Sequence, residues 1–164
     1  TGIFPVAKTE AGLAAVMGHA VVHALARHGG ERMSQNTLAQ TTLQAIGIAL
    51  GVSGANPVVS QGAMAALGVG AQVGVLLPFS RKHESEADYV GVLLAADAGY
   101  DPRESIQLWT RMGELSGGKS ASEFMSTHPS HETRIEQLEE WMTEAMPIYQ
   151  SKPPAPNSEL PQLH

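Results

Sequence analysis

His19 and His23 are the residues whose type and spacing most directly suggest chemistry in this chain. Side chains four residues apart differ by only about 40° around an α-helix, so both imidazoles project from one face, a turn apart. Two imidazoles in this arrangement can bind one divalent metal ion. The chain has seven histidines, so a chance pair is the alternative, in which both rings are hydrogen-bonded in the protein core.

The residue that follows the first histidine decides what such a site could do. In the zincin motif His-Glu-x-x-His, the glutamate takes a proton from the metal-bound water. This chain has Ala20 at that position, and alanine cannot accept a proton. The sequence therefore describes a metal site without its general base. We favour an engineered inactivating substitution over a natural pseudoenzyme that binds without cutting, because the rest of the site looks intact.

A second cluster of chemistry-bearing residues lies downstream, at Glu84, Glu86 and Asp88. Glu84 and Asp88 are four residues apart and share a helical face, so one carboxylate can bind a metal while the other orients a histidine ligand. The alternative is a solvated helix start, an interpretation that still suits Glu86.

The other histidines are given no chemical role at this level. His28 lies five residues after His23, and on a continuous helix it is rotated by about 140° from that ligand. We interpret His28 as a helix-end residue that suits the helix dipole, and His83 and His131 as surface histidines. The third metal ligand is therefore expected from the distant acidic cluster.

The elements that must position these groups are predicted to be helices. The first covers residues 11–27, with Thr9 as its N-cap and Gly29-Gly30 as its stop. Glycines and an Asn-Pro pair predict a loop or hairpin between two helical stretches over 47–62, and the acidic cluster lies on a helix predicted over 80–98. Later helices are predicted to start at Asp101-Pro102 and at Ser130, the second with a buried stripe at Ile135, Leu138, Trp141, Met142 and Ala145.

Residues 63–79 form the most apolar run of the chain. The run is shorter than the roughly 20 residues that a membrane-spanning helix needs, and it contains Gln72 and several glycines. We expect a small-residue helix buried in a soluble fold, in preference to insertion in a membrane, and shallow contact with a bilayer surface stays open.

Composition excludes several classes of function. The net charge of −6 gives no basic surface for nucleic acid. The absence of cysteine excludes disulfides, a thiolate nucleophile and thiolate zinc ligands. The chain starts without an initiator Met or a signal segment, so we expect a mature or trimmed piece of a longer protein.

Three spaced motifs together resemble a known family. They are His19 with His23, the downstream Glu84-x-x-Ala87-Asp88, and Thr127-His128-Pro129 followed by Arg134-Ile135. In this order they resemble the family-48 zinc metallopeptidases, a gluzincin family, and are closest to its soluble BepA- and Oma-like branch. The resemblance covers roughly residues 1–145.

The resemblance implies a fold. The chain should be a mainly α domain of the α+β zincin type over residues 1–150, with a residual edge strand at its N-terminus. In the family, substrate peptide pairs with that strand, which would assign Gly2, Ile3 and Phe4 to substrate binding. Residues 151–164, with four prolines, are predicted to be a disordered tail.

The resemblance also implies roles for the site residues. His19, His23 and Glu84 would bind zinc, with Asp88 orienting a ligand and water at the fourth position. The general base of the family falls on Ala20. Two more residues would act at the metal. His128 would stabilise the oxyanion or occupy the fourth zinc position, and Arg134 would also stabilise the oxyanion.

The function implied is zinc-dependent hydrolysis of peptide bonds in peptide or unfolded-protein substrates. The resemblance suggests protein quality control in a bacterial envelope, periplasmic or membrane-associated, with peripheral membrane contact as an option. We favour this setting over that of a mitochondrial inner-membrane relative. Two rivals stay open: a chaperone-like pseudoprotease that binds without cutting, and a structural helical domain without metal.

Overall fold

The computed structural model describes residues 3–116 and 131–161, and the structural statements below concern these residues. They form α-helices at Phe4–Ala7 (α1), Glu10–Leu25 (α2), His28–Val52 (α3), Pro57–Ala71 (α4), Leu77–Asp97 (α5), Arg103–Ser116 (α6) and His131–Gln150 (α7). A π-helical turn, Gln72–Leu76, joins α4 to α5. The prediction of a mainly α fold is confirmed.

Helix α2 begins as the sequence predicts, because the Thr9 side chain accepts a hydrogen bond from the Gly12 amide at 3.0 Å. Its end differs from the prediction. The chain leaves α2 after Leu25 and reverses through Arg27, whose φ of 56° is left-handed, so that α3 begins at His28. Gly29-Gly30 therefore lie inside α3 and do not stop a helix.

The core lies where α5, α6 and α7 meet, and α2 packs across α5. Val92, Ala96, Trp109, Leu138 and Ala145 form the main buried cluster. The predicted buried stripe of the last helix contributes to it: Leu138 and Ala145 are buried, and Ile135, Trp141 and Met142 pack against them.

Helices α3 and α4 form a hairpin, as one of the two alternatives for residues 47–62 predicts, but its connection is shorter than expected. It is confined to residues 53–56, because Asn56 caps α4 and Pro57 suits its first turn. The apolar run 63–79 is not buried: none of the described α4 residues is buried, because this helix packs mainly on α3. By length and composition alone, the helical stretch Pro57–Asp97 is apolar enough to cross a membrane, a test that core helices also pass.

The two ends of the chain also differ from expectation. Phe4–Ala7 form a one-turn helix where an edge strand is predicted, because Pro5 fits the first helical turn and no strand is described for it to pair with. The tail predicted to be disordered is held in place over residues 151–161. The Ala155 amide donates to the Gly99 carbonyl at 2.8 Å, and the Leu160 amide donates to the Lys8 carbonyl at 2.7 Å.

Candidate metal centre

His19 and His23 on α2 converge with Glu84 on α5. Each offers one donor atom, and the three atoms lie within 4.8 Å of one another. The two Nε2 atoms are 3.0 Å apart. His19 Nε2 lies 3.6 Å from Glu84 Oε2, and His23 Nε2 lies 3.5 Å from Glu84 Oε1. The structure thus brings together the three residues that the sequence singles out as ligands.

The donor set suits zinc. Two imidazole nitrogens and one carboxylate oxygen, held tetrahedrally at about 2.0–2.2 Å from one zinc ion, lie roughly 3.3–3.5 Å from each other. The separations of 3.0–3.6 Å fit that requirement. The carboxylate is buried while about a quarter of each histidine side chain is exposed, so the centre has an open side.

Asp88, one turn after Glu84, fixes the orientation of His19. Its Oδ1 atom lies 2.8 Å from His19 Nδ1, which makes Nδ1–H the donor and leaves the Nε2 lone pair for a metal. Burial by itself would raise the pKa of Asp88, but hydrogen bonds from His19 and Arg134 outweigh burial and lower it below its usual value. Asp88 is therefore a carboxylate at neutral pH.

Arg134 on α7 lies behind the ligands, with only 1% of its surface exposed. Its Nε and Nη2 atoms donate to the two oxygens of Asp88, each at 2.6 Å, and Nη1 lies 3.4 Å from Glu84 Oε2. The guanidinium carbon stacks 3.6 Å from the centre of a Trp109 ring. One buried cation thus neutralises and positions both carboxylates of the site.

His28 is a site residue that the sequence analysis missed. Its Nδ1 atom lies 3.0 Å from His23 Nδ1, and its Nε2 atom lies 3.5 Å from Glu86 Oε2. His23 therefore has a neighbour at its second ring nitrogen, as His19 has. The rotation of about 140° assumed an unbroken helix, whereas the turn at Arg27 folds His28 back against the ligand. The left-handed Arg27 carries no signal in the sequence.

His83 is buried, so its interpretation as a surface histidine is wrong. Its ring stacks on His28 with centroids 4.3 Å apart, and its Nε2 atom lies 3.1 Å from Glu31 Oε2. The α2–α3 reversal places His28 over this part of α5, which covers the ring. A row of four histidine rings therefore leads from His19 to His83.

Burial lowers the pKa of His23, and the neighbouring His19 lowers it further, while Glu84 opposes the shift. The imidazole of His23 therefore stays neutral at physiological pH. Neutral imidazole is the form that binds a metal ion.

The remaining predicted site residues are placed as follows. Ala20 is exposed beside the two histidines on α2, so its position has room for a larger side chain. Ile3 lines a cavity of about 240 Å³ that also reaches His19 and Glu84. Phe4 begins α1. Gly2 and His128 lie outside the described residues, as does the side chain of His131.

Comparisons with known proteins agree with this geometry. Residues 1–142 match the family described as Peptidase family M48. The chain is 40% identical to the mitochondrial metalloendopeptidase OMA1 of Schizosaccharomyces pombe over 146 residues, which are 88% of this chain and 40% of that protein. It is 39% identical to OMA1 of Arabidopsis thaliana over 91% of this chain and 28% of that protein.

A bacterial relative matches the same region. The chain is 31% identical to the putative beta-barrel assembly-enhancing protease of Vibrio cholerae, over 82% of this chain and 28% of that protein. The chain spans less than half the length of these curated relatives. No solved structure gives a significant match. The match over 142 residues, together with the identities to named metalloendopeptidases, shows that this chain belongs to peptidase family M48.

Proposed function

We propose that residues 1–150 are the peptidase domain of a zinc-dependent endopeptidase, and that Ala20 leaves this chain without a general base. The convergence of His19, His23 and Glu84 within 4.8 Å is the observation that carries the proposal. These three residues would hold the zinc ion. When bound, zinc polarises the scissile carbonyl and lowers the pKa of a coordinated water.

The chain's own residues prepare the centre for that chemistry. Asp88 holds the Nδ1 proton of His19, and His28 lies at the corresponding atom of His23, so both ligands present Nε2 to the same point. Arg134 holds the carboxylates of Asp88 and Glu84 in place. We assign Arg134 a positioning role, since its guanidinium contacts the carboxylates and is 1% exposed.

Substrates are proposed to be peptides or unfolded proteins, in a setting of membrane or envelope protein quality control. The names of the relatives support this proposal: one group is mitochondrial, and another is described as enhancing beta-barrel assembly. A role for His128 at the fourth metal position, and for residues 2–4 in binding substrate, remain predictions from the sequence.

The second candidate is a natural pseudoprotease that binds unfolded clients without cutting them. One observation favours it: the position of the general base is Ala20, which cannot accept a proton. In that case zinc would stabilise the fold, and the cleft would only capture clients.

Restoring the carboxylate distinguishes the two candidates. Ala20→Glu should raise the rate of cleavage of labelled casein by about 10²–10⁴-fold over that of the unmodified chain, which is the contribution typical of a general base. Ala20→Gln is the matched control, since it has nearly the same shape and cannot accept the proton. The double variant Ala20→Glu with His23→Ala should not cleave casein.

Zinc content is measured on the same preparations. The expected result is about one zinc per chain in both Ala20→Glu and Ala20→Gln. A folded Ala20→Glu chain that holds zinc, binds casein and does not cut it would contradict the peptidase proposal and support the pseudoprotease. Less than about a tenth of an equivalent of zinc in the unmodified chain would overturn both.

A further inference from the structure

A polar pocket lies beside the metal centre, between the base of α3 and the junction of α4 with α5, and is here called the amide pocket. Its volume is about 190 Å³. Within the described chain, two leucines and six polar residues line it, and none of them is acidic. The polar residues are Arg32, Gln35, Asn36, Gln72, Ser80 and His83. The peptidase proposal gives none of these side chains a role.

The junction of α4 with α5 shapes one wall of the amide pocket. Pro78 has no amide hydrogen, and in a regular α-helix its ring crowds the carbonyl four residues earlier. The chain instead widens into the π-helical turn Gln72–Leu76, where the Leu77 amide donates to the Gln72 carbonyl. Gln72 and Leu76, the first and last residues of this turn, both line the pocket. Such π-helical turns occur frequently at functional sites.

Arg32 is the charged residue of the amide pocket. Its Nη2 atom donates to the Ser80 hydroxyl oxygen at 2.9 Å, and about half of its side chain is exposed. Among the described residues, Glu84 supplies the only carboxylate within 4 Å of the guanidinium, at 3.8 Å, and that carboxylate also contacts Arg134. Arg32 therefore has N–H groups left for a ligand.

The acidic residues next to the pocket have partners of their own. Glu31 Oε2 lies 3.1 Å from His83 Nε2, and Glu86 Oε2 lies 3.5 Å from His28 Nε2. Arginine offers only hydrogen-bond donors, and the side-chain amides of Asn and Gln can donate as well. A group of donors that includes one cation and no carboxylate suits a carboxylate ligand, because hydrogen bonds to a charged acceptor are the stronger ones.

Arg32 connects the amide pocket to the metal centre. Glu84 Oε1 lies 3.8 Å from Arg32 Nη2 and 3.5 Å from His23 Nε2. Consecutive Cα atoms of a peptide are about 3.8 Å apart, so a peptide whose scissile bond lies at the metal centre can place a nearby residue at Arg32.

We propose that the amide pocket binds a carboxylate of the peptide substrate close to the scissile bond, and that Arg32 is the specificity-determining residue. The carboxylate belongs to an Asp or Glu side chain or to the C-terminus of the peptide. This inference rests on the proposed function, since it deepens the choice of substrate at the same site.

The unmodified chain suits a binding test, because without a general base it should hold peptides without cutting them. The zinc-loaded chain is titrated with fluorescently labelled, C-terminally amidated octapeptides that differ only in the position of a single Glu. A second series has Gln at the same positions. We expect one position at which Glu binds roughly three- to tenfold more tightly than Gln. Gln peptides of decreasing length, with free or amidated C-termini, test the other source of the carboxylate.

Variants of the pocket test the part played by Arg32. Arg32→Gln should abolish the preference for a carboxylate, and Arg32→Glu should replace it by a preference for Lys at the same position. Because Arg32 lies near Glu84, zinc content is measured in each variant. Asn36→Leu, which narrows the pocket and leaves Arg32 in place, should also reduce the preference while zinc stays bound. The matched control is Arg81→Gln, which removes an exposed cation that does not line the pocket and should bind like the unmodified chain.

Three results would overturn the inference. The first is equal binding of the Glu and Gln series at every position together with no gain from a free C-terminus. The second is a carboxylate preference that Arg32→Gln leaves intact, and the third is one that Arg81→Gln removes to the same extent.

Cleavage separates this inference from the peptidase proposal. Casein fragments produced by Ala20→Glu are identified by mass spectrometry, and Asp or Glu should be enriched at one position beside the cut, an enrichment that Arg32→Gln removes. Cleavage without that enrichment, and without a carboxylate preference in binding, would refute the amide pocket alone. An Arg32-dependent carboxylate preference in the unmodified chain, with no cleavage by Ala20→Glu, would support the pocket and refute the peptidase proposal.

Discussion

Each of the two histidine ligands has its second ring nitrogen beside a different neighbour. His19 faces the Asp88 carboxylate, whereas His23 faces the imidazole ring of His28. A carboxylate is the stronger hydrogen-bond acceptor for an imidazole N–H, because it carries a full negative charge. The centre therefore has one firmly oriented ligand and one whose orientation depends on a residue across the α2–α3 turn.

Replacing His28 by phenylalanine tests this dependence. His28→Phe keeps an aromatic ring on His83 but removes the nitrogen beside His23, and we expect about 10–100-fold weaker zinc binding. Affinity is measured by competition with a chromophoric chelator. His83→Phe is the control, since His83 stacks on His28 without contacting a ligand, and it should change affinity by less than about threefold. Equal losses in both variants would mean that packing alone matters.

Spacing made most of the centre predictable at the scale of residues. The four-residue separations of His19 from His23 and of Glu84 from Asp88 each define one face of one helix, which is a local property. His28 could not be found in this way, because its place depends on a left-handed residue between two helices. The burial of Arg134 on Asp88 depends on the packing of α7, which spacing does not encode.

At the scale of elements, α2 and α5 approach unusually closely at two glycines. A Cβ atom on Gly18 would lie 2.6 Å from the Gly91 carbonyl oxygen, and one on Gly91 would lie 2.8 Å from the His19 amide nitrogen. Both neighbours are backbone atoms and cannot rotate away. The contact sets the distance between the helix that carries the histidines and the helix that carries Glu84.

Gly91→Ala should therefore destabilise the protein although alanine favours helix. Helix propensity alone predicts a gain of up to about 1 kcal/mol, but separating α2 from α5 should cost roughly 1–3 kcal/mol in unfolding free energy and weaken zinc binding. Urea unfolding measures the first effect and chelator competition the second. Gly70→Ala is the control: its Cβ meets nothing within 4 Å, and it should be neutral or stabilising. A stabilised Gly91→Ala protein would show that the helices separate freely.

The start of α6 gives a prediction about pH. The Asp101 side chain accepts from the Arg103 amide at 3.0 Å and pairs with its guanidinium. These bonds, chiefly the side-chain bond, lower the pKa of Asp101 below its usual value. A lowered pKa in the folded state means that the unfolded state binds the proton more readily. The stabilisation is therefore complete above the unfolded pKa of about 3.9, and it is lost as the pH falls through the folded pKa.

Asp101→Asn isolates that effect, because asparagine also caps a helix but does not titrate. The unmodified protein should be the more stable of the two at pH 7, and the difference should shrink towards zero as the pH falls below about 4. Urea midpoints at a series of pH values measure it. A difference that is constant with pH would mean that the charge of Asp101 contributes nothing.

The helices themselves were largely predictable, since Thr9, Asp101 and the apolar stripe of α7 are local signals. The exposure of the α3–α4 hairpin was not predictable. Its apolar composition suggested burial, but composition does not say whether another element covers a helix, and in the described chain mainly α3 covers α4.

At the scale of the whole molecule, the two ends of the described chain meet at the helix that carries the histidines. Residues 157–160 run past the start of α2 and complete its cap. The Glu10 amide donates to the Ser158 carbonyl at 3.0 Å, and the Ala11 amide donates to the Asn157 side chain, also at 3.0 Å. The prolines of the tail led to a prediction of disorder, but they do not exclude an extended segment held by hydrogen bonds from elsewhere.

Asn157 thus caps α2 from 146 positions along the chain. Removing its side chain should destabilise the protein as much as removing a local helix cap does. We expect Asn157→Ala to lower the unfolding free energy by about 1 kcal/mol, and the melting temperature by roughly 2–4 °C. Asn157→Asp, which keeps an oxygen acceptor, should retain most of the stability. Ser158→Ala is the neighbouring control, because Ser158 contributes its backbone carbonyl and amide to the start of α2. If the Asn157→Ala and Ser158→Ala variants both have the melting temperature of the unmodified protein, the tail does not cap α2 in solution.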